Sequence, residues 1–135
     1  MIKAIYVNLP IKDVKRAREF WSNLGFGFNE QFSDEKALAL ELRPPTISAM
    51  LITEDFFKTF TNRPIADGNT TQVLLAIEVE SREKVDELVS KAMEAGATRY
   101  REAEDHGWMY YDTFVDLDGH QWEVMFSDES LIPEG

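Results

Sequence analysis

The chain has 135 residues, a formal net charge of −11, a hydrophobic fraction of 44% and no cysteine. The missing cysteines exclude disulfides, thiolate nucleophiles and zinc–thiolate sites, and the negative charge argues against phosphate backbones and anionic membrane surfaces as partners. No apolar run approaches the roughly 20 residues of a membrane span. A chain this long is expected to form one compact unit burying about 70% of its unfolded surface. Met1-Ile2-Lys3 runs straight into a strand pattern, so no signal peptide is expected and a cytoplasmic setting fits.

Residues 2–11 alternate: Ile5, Val7, Leu9 and Ile11 stand against Tyr6, Asn8 and Pro10, which predicts a first strand. Asp13 is a helix N-cap. Ala17, Phe20, Trp21 and Leu24 then fall at helical spacing up to Gly25, which ends the helix. Residues 26–32 form a second strand or turn. Residues 37–42 and 47–53 are strands joined by a turn at Arg43-Pro44-Pro45. Phe56, Phe57 and Phe60 mark a short helix or flap over 54–63, as core packing or as a lid over a cavity. Residues 64–71, with Asp67-Gly68-Asn69, are a polar linker at the midpoint.

After the linker the order repeats. A strand covers 72–79. Ser81 caps a helix whose stripe is Val85, Leu88, Val89 and Ala92, with Glu83 in the first turn and Gly96 at the end. Residues 97–101 read as a short strand and 102–107 as an acidic loop. Residues 109–126 form a β-hairpin. A three-residue loop, Leu117-Asp118-Gly119, with glycine in the left-handed position, pairs Asp116 with His120 and Thr113 with Glu123. Tyr111, Thr113, Gln121, Glu123 and Met125 then share one face, while Phe114, Trp122, Val124 and Phe126 share the other and meet a helix. A two-residue Asp-Gly turn would shift the pairing by one and separate Thr113 from Glu123. The chain thus contains a β-α-β-β-β unit twice, over 1–63 and 72–127, with a tail over 128–135.

Asn8-Leu9-Pro10-Ile11-Lys12-Asp13-Val14 and Phe20-Trp21-Ser22-Asn23-Leu24-Gly25-Phe26 resemble the opening of the vicinal oxygen chelate superfamily. Asp116-Leu117-Asp118-Gly119-His120-Gln121-Trp122-Glu123-Val124 resembles its closing motif. The family includes glyoxalase, bleomycin-resistance proteins, fosfomycin-resistance enzymes and extradiol dioxygenases. The resemblance spans essentially the whole chain. It implies an α+β fold of paired βαβββ modules, a curved cup-shaped mixed sheet with helices outside, and a homodimer.

In metal-dependent members, four strands supply His or Glu ligands. Carried onto this chain, those positions hold Tyr6, Leu51, Leu74 and Glu123. Leucine ligates nothing and neutral tyrosine is a poor ligand for a hard dication, so no metal cofactor is expected. A slip of one residue offers Met50 or Val73, and a slip of two on the first strand offers Asn8. Glu123 is the candidate catalytic or anchoring carboxylate, either as a general acid or base or as the partner of a ligand amine. Its alternative is a solvated edge glutamate. Tyr6, Asn8, Leu51, Leu74, Tyr111, Thr113 and Glu123 are expected to line one ligand-binding face. His120 is expected to close its loop, and His106 to be a solvated loop histidine.

Three functions follow. The first is a protein that binds a small organic molecule without the family's metal, by sequestration or by metal-free catalysis through Glu123. The second is a metal-dependent lyase or dioxygenase of glyoxalase type with atypical ligands. The third is a dimeric interaction module without catalysis.

Overall fold

The computed structural model describes residues 1–133. The last two residues of the expected tail lie outside them. The chain folds as two compact units, Met1–Asp67 and Gly68–Gly135. Among the described residues no helix is long and apolar enough to cross a membrane.

The first unit runs β1 (Ile5–Ile11), α1 (Val14–Asn23), β2 (Gly27–Phe28), a 3-10 turn (Glu30–Phe32), β3 (Ala37–Arg43), β4 (Ile47–Thr53) and α2 (Glu54–Phe57). Its sheet has the order β1-β4-β3-β2, with β1 parallel to β4 and the other pairs antiparallel. The Asp13 carboxylate accepts from the Arg16 amide at 3.1 Å, which satisfies one of the open donors of α1. Ala17, Phe20 and Trp21 are the buried stripe of that helix, which packs on β3 and β4. Phe20 and Phe26 both meet the Trp21 ring edge-on, with ring centroids 5.2 and 5.3 Å away. The expected flap is a single helical turn, with Phe56 packed edge-on against Phe60 at 4.9 Å.

The second unit runs β5 (Leu75–Glu78), α3 (Arg82–Glu94), β6 (Glu104–Asp105), β7 (Met109–Val115), β8 (Gln121–Ser127) and a 3-10 turn (Glu129–Leu131). Its sheet has the order β5-β8-β7-β6, again with one parallel pair, β5 with β8. Ser81 caps α3 through the Lys84 amide at 3.1 Å. The buried Val85, Val89 and Ala92 make the stripe by which α3 packs on β7 and β8. The expected β-α-β-β-β order is therefore present in both halves.

Two expectations are corrected here. Residues 97–101 make only an isolated bridge, Thr98 to Val115, and the short strand lies further on, in the expected acidic loop. Side chains replace the ladder: the Thr113 hydroxyl both accepts from the Arg101 amide, at 3.2 Å, and donates to the Arg101 carbonyl, at 3.0 Å. The hairpin face turned to α3 is also not wholly apolar. Asp112 stands on it, 3% exposed, and is held by the Arg99 guanidinium at 2.9 and 2.7 Å.

Candidate functional site

The closing hairpin folds as its loop chemistry requires. Gly119 has φ +87°, its amide donates to the Asp116 carbonyl at 3.2 Å, and the Asp116 amide donates to the His120 carbonyl at 2.9 Å. This is the three-residue loop, and it pairs Thr113 with Glu123, Tyr111 with Met125 and Phe114 with Trp122. Asp116 fixes the loop from inside. Its carboxylate accepts from the amides of Asp118 (2.9 Å) and His120 (3.0 Å) and from the Trp122 indole N–H (3.0 Å). Burial pushes its pKa up, opposed by the nearby His120 and by these donors.

On the far side of the same strands lies the face that carries Glu123. The β5 register places Ala76 beside Glu123, and alternation brings Leu74, just before β5, to the same side, where it is exposed. Glu123 is half-buried. Its carboxylate makes no hydrogen bond or ion pair with any described residue, although most acids of this unit are bonded through theirs. Thr113 is fully buried, and its hydroxyl is engaged by the Arg101 backbone rather than open to a ligand. The Tyr111 hydroxyl donates to Glu104, which also accepts from Arg101. Of the expected residues in this unit, Tyr111, Thr113 and Glu123 are together on one face, and Glu123 alone among them has its polar atoms uncommitted.

The expectation missed one neighbour. Tyr100 is half-buried, its hydroxyl oxygen is completely buried, and it has no hydrogen-bond partner among the described residues. Burial, and then the negative Glu123, push its pKa upward. Only alternation along 97–101 could have pointed to it, and that stretch offers no strand to alternate on.

In the first unit, Tyr6 pairs with Ser48 and Asn8 with Met50, all on one face, with Tyr6 and Asn8 exposed. Leu51 stands on the opposite face. It pairs with Leu9 and Leu38, and all three are buried. The expectation that Leu51 shares a surface with Tyr6 and Asn8 is corrected by that register: Met50 takes the place beside Asn8. An open notch of about 500 Å³ at the start of α1 is lined by Lys12, Lys15, Arg18, Asp34 and Glu35 among others. It holds none of the expected site residues, and Asp34 is occupied there in accepting from the amides of Lys36 and Ala37.

The metal that the resemblance implies does not fit these residues. The carried-over positions offer a phenol, two leucines and one carboxylate, and the register correction exchanges one leucine for a thioether, which is soft. Among the described residues no three His, Cys, Asp or Glu side chains come together as a metal-holding group.

The family profile described as the Glyoxalase/Bleomycin resistance protein/Dioxygenase superfamily matches residues 3–124. No curated protein matches the chain. Solved structures do. A hypothetical protein from S. aureus is 26% identical, with a TM-score of 0.78 over 93% of this chain and 95% of its own. A glyoxalase-related enzyme from Fulvimarina pelagi is 18% identical, with a TM-score of 0.80 over 100% of this chain and 94% of its own. A glyoxalase/bleomycin resistance protein/dioxygenase family enzyme from Burkholderia phytofirmans PsJN is 19% identical, with a TM-score of 0.74 over 90% and 96%.

Proposed function

The chain belongs to the glyoxalase/bleomycin resistance protein/dioxygenase superfamily, and from that premise we propose that it binds a small organic molecule on the sheet face carrying Glu123, without the divalent metal of the metal-dependent members. The observation that carries this reading is the unpaired carboxylate. Glu123 is half-buried and its carboxylate bonds to no cation or donor among the described residues, so it is open to pair with a ligand group. The surroundings suit an amphipathic ligand: Ala76, Met125 and Leu74 supply apolar surface, and Tyr111 an aromatic ring.

Glu123 then acts in one of two ways. It accepts a hydrogen bond from a proton-donating group and anchors the ligand. Or it takes a proton from that group, which makes the protein a metal-free catalyst of the same family. Glu123→Gln separates the two: affinity falls for an anchor, whereas turnover is lost with little change in binding for a base.

The test of the metal-free half is a metal analysis of protein purified without chelator, with melting curves in cobalt, nickel, zinc and manganese. The expected result is substoichiometric metal and an unchanged Tm. A stoichiometric ion whose stabilising effect disappears in Glu123→Gln would replace this reading with a glyoxalase-type metal-dependent lyase or dioxygenase.

A further inference from the structure

In the first unit, one row of residues crosses the whole sheet by direct pairing. Tyr6 on β1 pairs with Ser48 on β4, Ser48 with Glu41 on β3, and Glu41 with Gly27 on β2. Paired residues point to the same side of a sheet, so Tyr6, Ser48 and Glu41 share a face. That face is turned away from α1. Phe28, next to Gly27, lies on the α1 side, with the Arg18 guanidinium of α1 5.1 Å from its ring centre, and alternation sends Gly27 and its row to the other side.

The row is high at its ends and low in its middle. Tyr6 is 60% exposed and Glu41 is half-buried, whereas Ser48 between them is only 9% exposed. Beyond Glu41 the row ends on Gly27, where a Cβ would meet no atom within 4 Å. Gly27 does not have a positive φ, so its backbone does not require glycine, and the missing side chain leaves open space beside Glu41. The three side chains stand at about 4.8 Å spacing, yet they do not bond to one another or to any other described residue. A recessed hydroxyl thus lies between a carboxylate and a phenol, all with their polar atoms uncommitted, whereas most buried polar side chains are paired. A second copy pairing along the β1 edge would bond in the plane of the sheet and leave these side chains, which stand perpendicular to it, uncovered.

We propose that Glu41, Ser48 and Tyr6 form a second binding site, separate from the Glu123 face, for the primary ammonium group of a small organic amine. The chemistry selects this class. An ammonium carries three donors and no acceptor, an ionised carboxylate only accepts, and both hydroxyls can turn to accept. Glu41 supplies the opposite charge, and a hydrogen bond between two ionised groups is stronger than a neutral one. A carboxylate or phosphate would be repelled by Glu41. A neutral alcohol has one donor for three acceptors.

The test follows backbone amide NMR shifts of the full chain at neutral pH with propylamine, propanol, propionate and trimethylpropylammonium as probes. Propylamine should move the amides of Tyr6, Ser48 and Glu41 and bind at least about fivefold more tightly than the other three. Glu41→Gln, which keeps the shape and removes the charge, should lose about tenfold in propylamine affinity, and Ser48→Ala about threefold. Glu123→Gln should leave these shifts unchanged. Should Glu41→Gln fail to fold, the comparison of probes on the wild type decides alone. Equal binding of trimethylpropylammonium would mean that charge alone draws cations to an acidic chain, and would overturn the hydrogen-bonded recognition. So would unchanged affinity in Glu41→Gln, preferred binding of propanol or propionate, or no movement of these amides at millimolar propylamine. Loss of the shifts in Glu123→Gln would assign the amine to that carboxylate and overturn the second site while leaving the Glu123 reading standing.

Discussion

Asp116 shows how one side chain sets the surroundings of another. It is 8% exposed, and three donors converge on it, so the loop closes in one register and Glu123 is delivered to the face away from α3. Removing its carboxylate leaves the Trp122 indole and two amides without an acceptor. Asp116→Ala should cost about 2–4 kcal/mol in a denaturant titration. Because burial raises its pKa, the contribution of Asp116 to stability is greatest below the ordinary aspartate range and falls as pH rises through the folded value. Tyr110 gives a second pH signature. Its hydroxyl donates to Asp86 on α3 at 2.5 Å, and this bond moves its pKa from 10.0 to about 12. The associated stability is complete below the unfolded value and lost as pH climbs from about 10 to about 12. An absorbance titration should show Tyr100 and Tyr110 both ionising above the ordinary tyrosine range, and Tyr110→Phe should remove one of those two late steps. At this scale the sequence revealed Glu123 and its pairing with Thr113 through the loop type alone. It did not reveal Tyr100, because an orphaned hydroxyl is defined by what surrounds it. Nor did it reveal that Thr113 is engaged, since the Arg101 backbone reaches it from a segment with no regular ladder.

Among the elements, both long helices and the hairpin were legible because each carries a strong local signal: a cap, a 3.6-residue stripe, a glycine at the required turn. Gly96 is one such signal. It ends α3 at φ +107°, and a Cβ there would lie 3.1 Å from Leu117 of the hairpin loop. Gly96→Ala should therefore cost about 1–2 kcal/mol, through backbone strain and the displacement of Leu117. The hairpin's other face rests on Trp122, which is fully buried and stacks on Phe114 with centroids 6.2 Å apart and planes 9° from parallel. Trp122→Ala should cost about 3–5 kcal/mol, and a loss under about 1 kcal/mol would mean that this face is not packed against α3. The weak elements were misread where periodicity was short. Residues 97–101 alternate over too few positions, and the true pairing, Glu104 with Tyr111, lies in a stretch whose charge reads as loop. In β4 the apolar run Ala49-Met50-Leu51-Ile52 has no alternation to assign its faces, and only the pairing with β1 shows that Leu51 points inward and Met50 outward.

For the molecule as a whole, the duplicated β-α-β-β-β order was legible because each half repeats the same punctuation, helix then glycine then strands. Each sheet leaves an edge strand with exposed apolar residues at or beside it: Ile5 and Tyr6, 57% and 60% exposed, on β1, and Leu74, 53% exposed, before β5. Uncovered edges invite pairing. A two-fold homodimer that buries them is the expected assembly. Light scattering should give twice the 15.5 kDa chain mass at micromolar concentration, and a monomeric mass would contradict it. The central claim, that Glu123 anchors a small molecule without a metal, has a single most direct measurement. It is an amide NMR titration of chelator-dialysed protein with neutral aromatic alcohols and amides, run in parallel on Glu123→Gln. The account predicts saturable shifts at Gln121, Glu123 and Met125 in the wild type, unaffected by added divalent ions and weakened in Glu123→Gln. Shifts that appear only after a divalent ion is added, or that are the same in Glu123→Gln, would contradict it.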